Sequence, residues 1–430
     1  MKASTSDFLG KGFLGRGGYL VTSSLVLVLG LSASSSCQSP DEASVGPMQE
    51  SPPDEDDDDG SGGHAPPEVP EDPPDPPVAC ARYEPTDLGD LDVRGRDGVV
   101  SITRESGPIV IEGHRFTTPT RIQLTEANAG SVIRGNTFER YALDGGAVIG
   151  FSGADNVRIE RNVFRDIDGN VVDRDVHAIA GGESATNVVI RDNLFEDIAA
   201  DGVQFGNLNG ENIRSIVIEH NEFRISNGLR GARGENGIDI KFARGPIDIR
   251  ANRFSGFRPC PKGERAGCTG SGGNAVVIHF ENFDISVQDN LFTDNTEGLV
   301  VLEKIIRPGE RPHRTTIANN WFCALENVGV RLVRGVVDAE LFENTFVDVG
   351  MSFVTFQDSP GVVTYRDNLF VGEGVFPPGD NQHVPDVVDA NFSDVDACDL
   401  RVNEDERSVI AGASISEPGK IGIQQPLCPP

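Results

Sequence analysis

The sequence predicts an all-β solenoid of about ten stacked coils, preceded by a leader and an acidic spacer. Three observations predict it. The pattern apolar–x–apolar–x–x–Asn–x–Phe recurs along the chain up to Phe370. Glycine is abundant, with 50 of 430 residues, and 23 Phe outnumber 4 Tyr and 1 Trp, a mixture that suits short strands and tight turns. The spacing between recurring phenylalanines has a floor of 22 residues and rises irregularly to 38. That is the signature of a coil of fixed core length carrying loops of variable size.

The N-terminus reads as an address. Lys2, Lys11 and Arg16 precede an apolar stretch from Tyr19 to Leu31 that is too short to span a bilayer comfortably. Small residues then lead to Cys37. This resembles a bacterial lipoprotein signal, with Ser34 where such signals usually carry Leu. Residues 1–36 are expected to be a signal peptide and Cys37 the lipidated residue, which would anchor the protein to a membrane. Ordinary cleavage among Ser32–Ser36 is the alternative, and would leave the protein secreted.

Residues 37–79 hold thirteen acidic residues, no Lys or Arg, and many Pro. Such a segment cannot bury apolar area, so a disordered linker holding the body off a surface is expected. The net charge is −30, and the chain beyond the linker remains acidic. An acidic body repels phosphate backbones, so no nucleic-acid partner is expected.

Residues 80–375 carry the repeat. It reads VIEGHRF to Phe116, VIRGNTF to Phe138, VRIERNVF to Phe164, VVIRDNLF to Phe195 and IVIEHNEF to Phe223. It continues through IDIRANRF, ISVQDNLF, TTIANNWF and AELFENTF to VTYRDNLF at Phe370. Alternating apolar residues turn one face of a short strand inward. Asn is expected to turn the corner, because it tolerates left-handed backbone angles and its amide can bond to the next coil. The Phe two residues later would point inward and stack. A further strand follows, often opened by Gly, as in GVQFG at 202–206 and GIDIK at 237–241. Ten coils would make a rod of roughly 48 Å. The ladder asparagines are read as structural. Asp201-Gly202 and Glu297-Gly298 are read as turn chemistry. Trp321 is expected to point outward.

Residues 376–430 lose the repeat and are read as a C-terminal cap. Apart from Cys37 there are six cysteines, an even number that suits disulfides in an exported protein. Cys260 with Cys268 would close a local loop, and Cys398 and Cys428 would tie down the cap. A monomer is expected.

The Asn ladder, the Phe stack and the irregular coil length resemble the pectate-lyase-like superfamily of right-handed parallel β-helix proteins. The resemblance covers about residues 90–375. It implies a polysaccharide partner and a site on the outer face of the strand after the ladder, walled by long loops. Such loops are expected near 166–176, 225–236 and 256–274. In GIDIK, alternation sends Asp239 and Lys241 outward, about 7 Å apart. Gln204 should neighbour Asp239, His279 should neighbour Lys241, and Arg331 and His177 should lie on the same side.

The reading that follows is cleavage of a uronate polysaccharide by β-elimination. Lys241, with its pKa depressed by Arg230, Arg233 or His279, is the expected base. Arg233 or Arg331 would hold the sugar carboxylate. Gln204 and His177 would bind substrate. Asp239 and Glu235 would bind Ca²⁺ or orient Lys241. The alternative is a non-catalytic cell-surface protein that binds glycan or protein.

Overall fold

The computed structural model describes residues 83–96, 98–169, 175–182, 184–206, 212–226, 235–258, 273–280, 282–303, 314–333, 339–357, 362–385, 392–394 and 398–402. Two long sheets wrap one apolar core. The first sheet contains ten parallel strands, from Val99–Thr103 through Val176–Gly181, Val203–Phe205 and Asn236–Lys241 to Ser352–Gln357. Asp92–Arg96 pairs antiparallel with the first of them and covers that edge. The second sheet takes two strands from most coils, one on each side of the Asn corner, such as Ile247–Arg250 and Arg253–Ser255. Neighbouring coils pair in register, as where Phe195 lies opposite Phe223 and Phe223 opposite Phe254, with a shift where Val363–Val371 meets Asp380–Val384. The chain is therefore an all-β parallel β-helix, the architecture its repeat implied.

The Asn corner works differently from the expectation in one respect. The left-handed residue is the one before each Asn: Arg161, Asp192, His220, Ala251, Asp289, Asn319, Glu343 and Asp367 have φ between 50° and 57°. The Asn itself supplies the ladder. Asn221 Oδ1 accepts from both the backbone N–H and Nδ2 of Asn193, at 2.9 and 3.0 Å. Its Nδ2 donates to Asn252 Oδ1 at 3.0 Å and to Ile190 O at 2.9 Å. A primary amide both donates and accepts, so identical residues can stack without limit and leave no buried group unmet.

The ladder also outlasts the expected end of the repeat. Asn368 Nδ2 donates to Asn381 Oδ1 at 2.8 Å, and His383 stands opposite Phe370. DNQHV at 380–384 is thus one more corner, with His in the Phe place.

Inside, the phenylalanines from Phe116 to Phe370 stack with centroids 4.6–5.1 Å apart and ring planes within 20° of each other. The stack explains the Gly that opens the next strand. A Cβ at Gly298 would sit 2.7 Å from Cδ1 of Phe322, so only Gly leaves room for the ring.

The outer face of the second sheet changes character along the rod. Toward the N-terminal end one column reads Glu112, Arg134, Glu160, Arg191, Glu219, Arg250. Opposite charges alternate, with Arg134–Glu112 at 2.7 Å, Arg191–Glu160 at 2.6 Å and Arg250–Glu219 at 2.7 Å. Further along, the outward positions turn apolar: Trp321, Cys323, Val347, Leu369 and Val371 join Val384, Phe392 and Cys398 in a second cluster. A Cys323–Cys398 disulfide binds the C-terminal strands onto this face. Trp321 does point away from the coil interior, but it is only 1% exposed, because the chain's own C-terminal segment covers it. The other expected cysteine pairings, and Cys37, lie outside the described residues.

Candidate functional site

The outward side of the first sheet gathers ionisable groups on three neighbouring strands: Val176–Gly181, Val203–Phe205 and Asn236–Lys241. Register sets their neighbours. Gln204 lies opposite Asp239, as expected, and Lys241 opposite His279 along the backbone. The His279 side chain lies outside the described part of the chain, as do Arg230 and Arg233.

Lys241 Nζ is 2.7 Å from Asp239 Oδ2, and Gln204 Nε2 reaches the same oxygen at 3.4 Å. This pair runs against the depressed pKa expected for Lys241. Burial alone would lower its pKa, but the adjacent Asp239 carboxylate outweighs burial, so the ammonium is held above the ordinary lysine value. Beside that carboxylate the Lys241 side chain is held toward its charged form.

Arg331 shares the outward column with Asp239, but Val277 and Val300 stand between them. Three coils, or about 14 Å, separate the two. Arg331 pairs instead with Glu297. The continuous polar column expected from alternation is therefore interrupted, and Arg331 is not brought to Lys241.

A second polar column runs at the corner where these strands begin. His177 precedes Asp201 by one coil, and Asn236, Asn274 and Glu297 follow in register. Its centre is Asp201, which is fully buried. Asp201 Oδ1 accepts from the Asn236 backbone N–H at 3.1 Å and from Asn236 Nδ2 at 2.9 Å. Oδ2 accepts from Gln204 Nε2 at 3.0 Å and lies 3.2 Å from His177 Nδ1. Gln204 thus links the two columns, giving an unbroken polar path His177–Asp201–Gln204–Asp239–Lys241.

Glu235 stands at the rim of this path, just before Asn236, and is exposed. Desolvation of its carboxyl, then the negative charges of Asp201 and Asp175, push its pKa up to about 7. His177 is nearly buried, which disfavours the cation. Asp201, helped by Asp175 and Glu235, outweighs that and raises its pKa. The site therefore holds one fixed cation, one carboxyl that changes charge near neutrality, and one histidine biased toward its protonated form.

Asp239 and Glu235 do not fit a Ca²⁺ site as they stand. The Lys241 ammonium already engages Asp239 Oδ2, and a second cation there would be repelled. Among the described residues no three His, Cys, Asp or Glu side chains converge as a metal centre.

Asp201 is what sequence reasoning missed. Its position before Gly202 read as a turn, although Asn236 and Glu297 recur in the same phase, directly before a Gly. A separate groove of about 850 Å³ lies on the outer face of the second sheet, over Val132, Val189 and Val217, with Arg158 and Asp248 in its lining. None of the ionisable groups of the polar path lines it.

No family model and no curated protein matches the chain. Solved structures do. The chain is similar to the Streptococcus pneumoniae surface protein and adhesin PfbA, with a TM-score of 0.47 and 15% identity over 70% of this chain and 80% of that one. It is similar to the PL6 family polysaccharide lyase Pedsa3628 from Pseudopedobacter saltans, with a TM-score of 0.39 and 12% identity over 76% and 93%. It is also similar to the periplasmic alginate epimerase AlgG, with a TM-score of 0.32 and 11% identity over 68% and 69%.

Proposed function

We propose that this is an exported β-helix protein that acts on polysaccharide, and that it cleaves a uronate polymer by β-elimination. One arrangement carries the reading: Glu235, whose carboxyl is pushed up to about 7 by desolvation and its acidic neighbours, stands just before the strand that carries the Lys241 ammonium. β-Elimination needs both. A base removes the proton on the carbon next to the sugar carboxylate, and a cation stabilises the charge that develops on that carboxylate. Glu235, not Lys241, takes the base role, because Asp239 engages the Lys241 ammonium while the Glu235 carboxyl is pushed up to about 7. Lys241 takes the carboxylate, with Gln204 beside it.

The long outer face of the first sheet suits an extended polymer, because adjacent coils repeat every ~4.8 Å along the rod, about the length of one sugar. The signal-like N-terminus and the Cys323–Cys398 disulfide, which an oxidising compartment sustains, support export. Attachment through Cys37 is part of this proposal.

A second reading, a non-catalytic surface protein that binds glycan or protein, is favoured by the Lys241–Asp239 ion pair, which satisfies both charges without any substrate.

The test is a panel of uronate polysaccharides assayed for the absorbance of unsaturated products. Elimination by the wild type, lost in both Glu235→Gln and Lys241→Met with the fold intact, is the expected result. Rates are expected to be equal in Ca²⁺ and in excess chelator. Retained glycan binding with no unsaturated product would favour the second reading.

A further inference from the structure

We infer that the groove on the outer face of the second sheet is a holding site, separate from the polar path, that binds a carboxylate-bearing glycan strand along the rod. The class of ligand rests on the polysaccharide reading above; the groove does not depend on elimination.

The repeat builds the groove. In four successive coils a left-handed residue stands two places before an outward floor residue: Gly130 before Val132, Asn156 before Arg158, Asn187 before Val189 and Ser215 before Val217, with φ between 53° and 81°. Val132, Arg158, Val189, Val217 and Asp248 follow one another in register. Corner and floor together line a concave strip of about 850 Å³. Crossing five coils, it runs about 19 Å along the rod, the length of about four sugars.

Asp155 sets the polar rim. Asn156 Nδ2 and Asn187 Nδ2 both donate to its carboxylate at 3.0 Å. A carboxylate only accepts, so these bonds fix which end of each amide faces Asp155. The two Oδ1 atoms are turned away from it on exposed side chains, ready to accept from hydroxyl groups.

Charge supplies the second argument. In the adjoining column each arginine is matched: Arg134 with Glu112, Arg191 with Glu160, and Arg250 with Glu219. At the far end of the groove Asp248 is matched too, 2.6 Å from Arg250. Arg158 is exposed and makes no ion pair among the described residues. On a chain of net charge −30, a groove whose unmatched charge is positive is fitted to an anionic ligand.

The rest of the lining selects the kind of anion. The floor is apolar at Val132, Val189 and Val217, and its strands are already paired to the coils on either side. An extended peptide would lay its amides on valine with no strand edge to pair them. A pyranose ring offers apolar C–H faces to the valines and hydroxyls at its edge to Asn156 and Asn187. A uronate adds a carboxylate for the Arg158 guanidinium. Held here, one stretch of polymer keeps the protein attached while another meets the first sheet, and two attachments to one polymer outlast either alone.

The experiment uses the full-length protein in native gels containing polygalacturonate or alginate, with neutral dextran as the control. Wild type is expected to be slowed by a uronate polymer and not by dextran. Arg158→Glu and, separately, Val189→Asp are expected to raise the apparent Kd about 10-fold or more. Their urea midpoints should match that of the wild type, because both positions are on the outer surface. On a uronate trisaccharide, which reaches one face only, both variants are expected to eliminate at the wild-type rate.

Variants that bind every uronate polymer as the wild type does overturn the groove, and leave the elimination standing if product still forms. Polymer binding that falls in both variants, with no unsaturated product from the wild type, upholds the groove and overturns the elimination. A wild type slowed by no uronate polymer, or slowed equally by dextran, overturns the groove. Poly-glutamate that displaces the polymer from the wild type as well as free polymer does overturns the choice of sugar.

Discussion

Two ladders climb this rod at different corners of the coil, and they solve one problem with different chemistry. At the corner of the second sheet each rung is Asn, and each Asn meets the next through the same two bonds. At the corner of the first sheet the rungs are His177, Asp201, Asn236, Asn274 and Glu297. An amide donates and accepts, so a uniform column needs no outside help. A carboxylate only accepts, so Asp201 has to recruit Gln204 and Asn236 as donors. The uniform ladder stacks coils. The mixed ladder gathers ionisable groups beside the outer face of the first sheet, as the proposed acid–base chemistry requires.

The comparison breaks most easily at the uniform ladder. Asn221→Ala removes a rung that five hydrogen bonds of its side chain join to its surroundings. Several buried groups lose their partners, so a loss of about 4 kcal/mol is expected in urea unfolding. The pH dependence of activity in the folded fraction should not move. Next comes the covered apolar face. Cys398→Ser opens a link between residues 75 apart in sequence. A loss of about 3 kcal/mol is expected. The emission of Trp321, the single tryptophan, should shift to the red as its cover loosens.

The mixed ladder should respond in activity before stability. Glu235→Gln is expected to lower turnover about 100-fold, equivalent to about 2.7 kcal/mol. Wild-type activity should rise with pH through about 7 as Glu235 ionises. Stability moves the other way. The folded carboxyl keeps its proton up to about 7, whereas an unfolded one releases it near about 4.3. The native state binds more protons between these values, so stability falls as pH rises across that window. Glu235→Gln removes that fall and should be the more stable protein above pH 7, by less than about 1 kcal/mol because the group is solvent-exposed. The smallest effect belongs to the charged columns. Arg191→Ala should cost less than about 1 kcal/mol despite its 2.6 Å contact with Glu160, because the pair is partly exposed and screened by salt.

How legible each ladder was in the sequence follows from the same contrast. Nine Asn-x-Phe corners announced themselves because one side-chain type recurs in one phase. The left-handed residue before each Asn did not, because Arg, Asp, His, Ala, Asn and Glu all take that place and share no feature a pattern can register. The corner at Asn381 was lost when His383 replaced Phe. The inward and outward sides of the Asn236–Lys241 strand, and the meeting of Gln204 with Asp239, followed from alternation alone. The protonation state of Lys241 did not, because it depends on the distance between two side chains that alternation places on one face without saying whether they touch. Asp201 was hidden by its glycine neighbour. The shelter over Trp321 becomes readable only when outward positions are compared coil by coil: Glu139, Arg165, Glu196 and Arg224 give way to Cys323, Val347 and Val371.

The most direct test of a chemical role for the mixed ladder is the rate of unsaturated-product formation from a uronate polysaccharide, measured from pH 5 to 9 for wild type and Glu235→Gln side by side. The expected result is a wild-type profile that climbs through about pH 7 and a variant at or below about one hundredth of it, with both proteins folded. A variant as fast as the wild type, with the same pH profile, would contradict it.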